Sequence, residues 1–136
     1  MIRKIHKLFQ LMASPDYLKA LFQNNIAATV EHSCVLKNIE KCNTVVDIGA
    51  NKGQFSLAAM HVFKDARIFS FEPLNKPAIK FNKLFESNNN ITLFQSAIGQ
   101  KEEYINMHVS NRDDSSSLLD IGKNQTIIFP GTDVSH

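Results

Sequence analysis

The run Thr44-Val45-Val46-Asp47-Ile48, closed by Gly49-Ala50-Asn51-Lys52-Gly53, narrows the folds open to this chain more than any other feature. A β-branched, apolar stretch of that kind reads as a buried strand, and the glycine that ends it permits a tight turn. Beyond Gly53, the residues Phe55, Ala58, Ala59 and Val62 recur at i, i+3, i+4 and i+7, which predicts a helix with one apolar face. The pattern then repeats. Arg67 to Phe71 reads as a second strand. Asn75 and Pro77 read as the cap and first turn of a helix that faces the core with Ala78, Phe81, Leu84 and Phe85, and Ile91 to Gln95 as a third strand. Strands alternating with helices at this spacing lie parallel and are joined by right-handed crossovers. The expected class is therefore α/β, with a doubly wound, mostly parallel sheet.

Both flanks are less regular. At the start, Ile2, Ile5, Leu8, Phe9 and Met12 fall at helical spacing beside Arg3, Lys4 and Lys7, which predicts an amphipathic helix that packs on the domain body or lies on a membrane surface or partner. Ser14-Pro15-Asp16 restarts a helix that should run to about Gln23, and a further helical stretch is expected near Val30 to Asn38. Residues 1–40 thus form a helical region ahead of the strand-helix repeat. Toward the other end, Glu103 to Val109 alternates weakly and predicts a fourth, edge strand, after which 111–136 shows no clear period. A complete open sheet of this class needs more strands, so the expectation is a fold that stops after the third strand and a following edge strand.

Composition removes several function classes. With 15 Lys plus Arg against 13 Asp plus Glu in 136 residues, the formal charge is +2. That balance, and the lack of a basic stripe interleaved with aromatics, excludes an electrostatic nucleic-acid binder. No apolar stretch approaches the ~20 residues that span a bilayer, so no transmembrane segment is expected. Cys34 and Cys42 form no C-x-x-C pair and have no matching His pair; no metal site and no disulfide framework is predicted, and reduced thiols fit a cytoplasmic protein.

The candidate chemistry sits at the glycine turn. Gly49 and Gly53 would let the backbone turn and a ligand approach closely. The spacing is G-x-x-x-G, which satisfies neither the dinucleotide fingerprint nor the P-loop. Glu72 ends the second strand, and parallel topology puts its carboxylate beside the glycine turn, where it can accept hydrogen bonds from both hydroxyls of a ribose. Asp47, at the end of the first strand, could orient the loop or reach an ammonium group. Plain turn glycines, a solvated acid and a local backbone cap are the structural alternatives for these residues.

Asp47-Ile48-Gly49-Ala50-Asn51-Lys52-Gly53 resembles the D-x-G-x-x-x-G loop of class I S-adenosylmethionine-dependent methyltransferases. With Phe69-Ser70-Phe71-Glu72-Pro73, Ser96-Ala97-Ile98-Gly99 and Asp113-Asp114-Ser115-Ser116-Ser117-Leu118-Leu119 in order, the chain resembles the FkbM-type family from about Val30 onward. The resemblance implies a Rossmann-like sheet of the class I methyltransferase type, with 41–136 as the N-terminal half of the domain. It implies S-adenosylmethionine as cofactor. Gly49 to Gly53, with Ala50 and Asn51 among them, would hold its methionine part and Asp47 would orient the amino-acid end; Glu72, followed by Pro73, would hold the ribose, and Ser96 with Ala97 would lie near the adenine. Asp113 to Leu118 would be a loop over the pocket.

The family continues through a further strand with a Lys-Ile-Asp-x-x-Gly-type segment, and nothing here matches it. A fragment, a split enzyme that self-associates or meets a complementing chain, and a shortened gene product are the expectations that follow. By resemblance the activity is methyl transfer to a small or glycan-like acceptor carrying a hydroxyl. The rival classes are a catalytically inactive nucleoside-binding remnant or interaction module, and an NAD-linked oxidoreductase fragment. His32 and His108 are available general bases, but a lone His is commonly structural, and the catalytic residue stays unassigned.

Overall fold

The computed structural model describes residues 11, 12, 14–104, 106, 107 and 109. The chain divides into two compact units, Met1–Ile98 and Gly99–His136. The first holds every described helix and strand. Helix α1 (Pro15–Asn24) starts on Pro15, whose missing N–H is no loss in a first turn. It ends at Asn25, left-handed at φ 54°, after which the Ile26 N–H turns back to the Ala20 carbonyl at 3.1 Å. A single 3-10 turn (Val30–His32) and the short helix α2 (Ser33–Leu36) lead to strand β1 (Thr44–Ile48). Helix α3 (Gln54–Val62), strand β2 (Arg67–Phe71), helix α4 (Asn75–Leu84) and strand β3 (Ile91–Phe94) follow.

The strands form one open parallel sheet in the order β1-β2-β3, with Asp47 opposite Ser70, Ile48 opposite Phe71 and Phe71 opposite Phe94. Both crossovers step in the same direction across the sheet, so right-handedness puts α3 and α4 on one face. Val45, Asp47, Ile68 and Ser70 are buried toward that face. Ala58 and Ala59, both fully buried, let α3 sit close to the sheet beside Phe63, Ala66 and Ile68. A second cluster joins Tyr17 and Ala20 of α1 to Ala50, Leu57, Phe81 and Phe85, so the helical N-terminal region and the strand-helix repeat share a core.

The other face is bare among the described residues. Val46 (57% exposed), Ile48 (64%) and Phe94 (43%) point into it, with the half-buried Phe69 and Phe71 between them. The Phe71 and Phe94 rings stack at 4.9 Å and 15°. Among the described residues the outer edge of β1 is unpaired as well. Asn43 O and Gly49 N bond to β2, so strand alternation turns the peptide groups of Thr44, Val46 and Ile48 away from it. The α/β class and the parallel order are as expected; the described residues do not form the second helical layer of a doubly wound sheet.

Three boundaries depart from the sequence reading. Asn75 is the first residue of α4, not its cap: the Leu74 N–H is held by the Glu72 carboxylate, which starts the helix one residue earlier. Strand β3 stops at Phe94 because the Ser96 N–H closes a tight turn on the Phe94 carbonyl at 2.9 Å. The expected fourth strand is not formed at the described positions 103, 104, 106, 107 and 109. Among these positions Glu103, Tyr104 and Asn106 are exposed and only Met107 and Val109 are half-buried, which is too little covered apolar surface to fix a register. The first ten residues, His108 and the Asp113 to Leu119 segment lie outside the described residues.

In the second unit, Gly99 to Tyr104 are exposed and carry no regular structure. Among the described residues no helix is long and apolar enough to cross a membrane.

Candidate functional site

The loop from Gly49 to Gly53 crosses the carboxyl ends of β1 and β2, where ligands of open parallel sheets bind. Its backbone donors are all committed inside the protein. The Gly49 and Ala50 N–H groups both bond the Phe71 carbonyl at 2.9 Å, and the Gly53 N–H bonds the Ala50 carbonyl at 2.9 Å. The Asn51 N–H bonds Glu72 Oε2 at 2.9 Å, and the Lys52 N–H bonds Gln54 Oε1 at 3.1 Å. A phosphate cradle needs free amides pointing at the anion. This loop has given its amides to carbonyls and a carboxylate.

Glu72 is 6% exposed and ties two lips together. Its Oε2 takes the Asn51 N–H of the glycine loop, and its Oε1 takes the Leu74 N–H at the entry to α4, each at 2.9 Å. An ionised carboxylate has about four acceptor positions, so roughly two stay available to a donor-bearing ligand. Asn51 adopts φ 50°, a left-handed conformation that Asn tolerates better than most residues.

The two glycines have different surroundings. At Gly49 (φ 77°) a Cβ would meet nothing within 4 Å, so its open side is available to a ligand. At Gly53 (φ 92°) a Cβ would stand 2.5 Å from the Phe85 ring and 3.1 Å from Phe81. Gly53 is therefore demanded by the core beneath the loop. Ala50, buried at 4%, packs into the same cluster.

Asp47 points under the loop, on the helix-covered face, and is 7% exposed. Ser56, the third residue of α3, donates its hydroxyl to Asp47 Oδ2 at 2.5 Å, and its backbone N–H also bonds that carboxylate. Gly53 at the N-cap has no side chain to offer α3, so Asp47 caps the helix from the neighbouring strand. Burial pushes the Asp47 carboxyl above its ordinary range, and the two Ser56 hydrogen bonds hold it down in part.

The structure thus brings together Gly49, Ala50, Asn51, Glu72 and Pro73, with Asp47 and Gly53 supporting them from below. Ser96 and Ala97 are exposed beyond β3, and among the described residues no hydrogen bond joins them to Glu72 or the loop. His32 is exposed, its ring edge-on to Phe55 at 5.9 Å. Sequence reasoning missed Ser56 and Ser70. Their signal was a polar residue interrupting an otherwise apolar helix face, and one at an inward strand position opposite Asp47.

A cleft of about 450 Å³ lies elsewhere, between α1 and the C-terminal end of α4, lined by Asp16, Lys19, Met60, Lys83, Phe85 and Glu86 among others. No candidate residue lines it, and its opposed charges select no ligand of one sign. The chain matches no protein-family model and no curated protein.

Proposed function

We propose that this chain binds S-adenosylmethionine at the carboxyl ends of β1 and β2 and serves methyl transfer to a hydroxyl-bearing acceptor, small or glycan-like. One observation carries the reading: every backbone N–H of the glycine loop is already committed, and the acceptor beside it is the buried Glu72 carboxylate. A pyrophosphate-containing dinucleotide wants the reverse. A ligand with a ribose diol, an amino group and positive charge suits a lip made of a buried carboxylate and an open glycine. The resemblance of the Asp47 to Gly53 loop and of the Phe-Glu-Pro segment to class I methyltransferases, of the FkbM type, supports the same choice of ligand.

In this reading Glu72 receives the ribose hydroxyls on its remaining lone pairs while keeping the Asn51 and Leu74 amides. Gly49 gives the methionine part room to approach. Pro73 fixes the backbone beside Glu72, and Ser96 with Ala97 border the adenine. When bound, the cofactor supplies an activated methyl group on a sulfonium. The work left to the chain is alignment, and alignment of reacting groups can supply ~7 to 11 kcal/mol of a barrier.

The sheet face and β1 edge that the described residues leave uncovered favour a partner, either a second copy or a complementing chain that extends the sheet. We place the protein in the cytoplasm, where the free thiols Cys34 and Cys42 would stay reduced. Calorimetric titration with S-adenosylhomocysteine tests the reading, with NAD as the competitor ligand. Micromolar binding of the first and none of the second is expected; preference for NAD refutes it. Binding without methyl transfer, alone or with an added partner, selects the inactive remnant.

A further inference from the structure

Beneath the loop, Ser56 and Ser70, to which the ligand reading gives no role, are packed against Asp47 where water hardly reaches. Ser56 and Ser70 are fully buried, and Asp47 nearly so. The Ser56 hydroxyl lies 2.5 Å from Asp47 Oδ2 and 2.9 Å from the Ser70 hydroxyl. A serine hydroxyl has one proton and two lone pairs. An ionised carboxylate can only accept, so the Ser56 proton goes to Asp47, and Ser70 must then donate to Ser56. The chain has one direction: Ser70 O–H to Ser56 Oγ, Ser56 O–H to Asp47.

We propose that Ser56 and Ser70 are positioning residues for the ligand site, locking the Asp47 carboxylate under the first turn of α3 and thereby fixing the shape of the Gly49–Gly53 loop above it. The three residues sit on α3, β2 and β1, the elements whose ends carry the loop and Glu72. Buried polar chains of this kind are costly when broken, because each hydroxyl left without its partner stays away from water. A packing role alone would call for an apolar residue such as alanine at both serine positions. The other titratable groups on the packed elements, His61 of α3 and Arg67 of β2, lie at the ends remote from Asp47.

The proposal rests on the loop being the nucleoside site, and two readouts keep them separable. One is the affinity for S-adenosylhomocysteine. The other is the titration of the Asp47 carboxyl carbon followed by NMR, which needs no ligand. Ser56→Ala should raise the Asp47 midpoint and weaken binding about tenfold, whereas Ser70→Ala should shift both by less, about threefold or under in affinity, because Ser56 still reaches Asp47. Ser56→Cys fills the volume with a poor donor and should behave like the alanine variant. Equal effects of Ser56→Ala and Ser70→Ala, an unmoved Asp47 midpoint, or wild-type behaviour of Ser56→Cys would overturn the proposal. If the parent protein binds no S-adenosylhomocysteine, the ligand reading fails and the Asp47 titration still decides this one.

Discussion

The two ends of the glycine loop look alike in sequence and do different work. Gly49 and Gly53 both adopt left-handed φ, yet one borders open space and the other presses on the rings of Phe85 and Phe81. The Gly53 end belongs to the core, and the Gly49 end, left open, is where the proposed ligand would approach. Between them, Asn51 hangs on Glu72, so the loop is held from the sheet on one side and from the hydrophobic cluster on the other. A loop fixed at both ends enters binding already shaped, which reduces the ordering cost that a ligand must meet.

Substitutions should separate these ends, and the largest effect is expected at the buried one. Gly53→Ala forces a Cβ into the Phe85 ring and strains a left-handed backbone, so chemical denaturation should show a loss of about 2 to 5 kcal/mol. A variant as stable as the parent would erase the distinction. Glu72→Gln is expected next. Its amide nitrogen would face either the Asn51 or the Leu74 N–H, and S-adenosylhomocysteine affinity should fall by about 1.5 to 3 kcal/mol in calorimetry. An undiminished affinity would remove the carboxylate from the site.

Gly49→Ala should be milder for the fold, costing roughly 1 to 2 kcal/mol through its left-handed φ alone, while its methyl group would occupy the open side that the proposed ligand needs. Binding lost with most of the stability kept would sharpen the comparison. The smallest effect concerns pH. The folded Asp47 carboxyl titrates above its unfolded value, so the folded state holds more protons in the interval between the two. Stability must then rise as pH falls through that interval and level off below the unfolded value. Against Asp47→Asn, urea midpoints of the parent should climb on acidification from its raised midpoint; parallel profiles would contradict the assignment.

Much of the frame was legible because it is periodic. Thr44 to Ile48 and Arg67 to Phe71 announced themselves by β-branched and aromatic residues, and both strands fall where expected. The start of α4 was not legible, because its first amide is satisfied by Glu72 across the turn and not by a capping side chain such as Asn75. The site was half legible. The glycines and the strand-terminal acid meet at one edge of the sheet, as parallel topology predicts, but that the core demands Gly53 and leaves Gly49 open depends on Phe85, distant in sequence. Ser56 and Ser70 were hidden because their meaning depends on register, which sets Ser70 opposite Asp47. The fourth strand is absent at its described positions, where a weak alternation with an exposed Tyr104 specifies no pairing.

The two faces of the sheet repeat the lesson at larger scale. Crossovers that step one way cover only one side, and among the described residues Val46, Ile48 and Phe94 stay exposed on the other.

The Gly49–Gly53 loop would meet its ligand either through the Glu72 carboxylate or through free amides. Amide chemical shifts of Gly49, Asn51 and Leu74, followed while S-adenosylhomocysteine and inorganic pyrophosphate are added in separate titrations, measure this directly. The expected result is saturable movement of all three with the nucleoside and none with pyrophosphate. Movement of the Gly49–Gly53 amides with pyrophosphate, and none with the nucleoside, would contradict it.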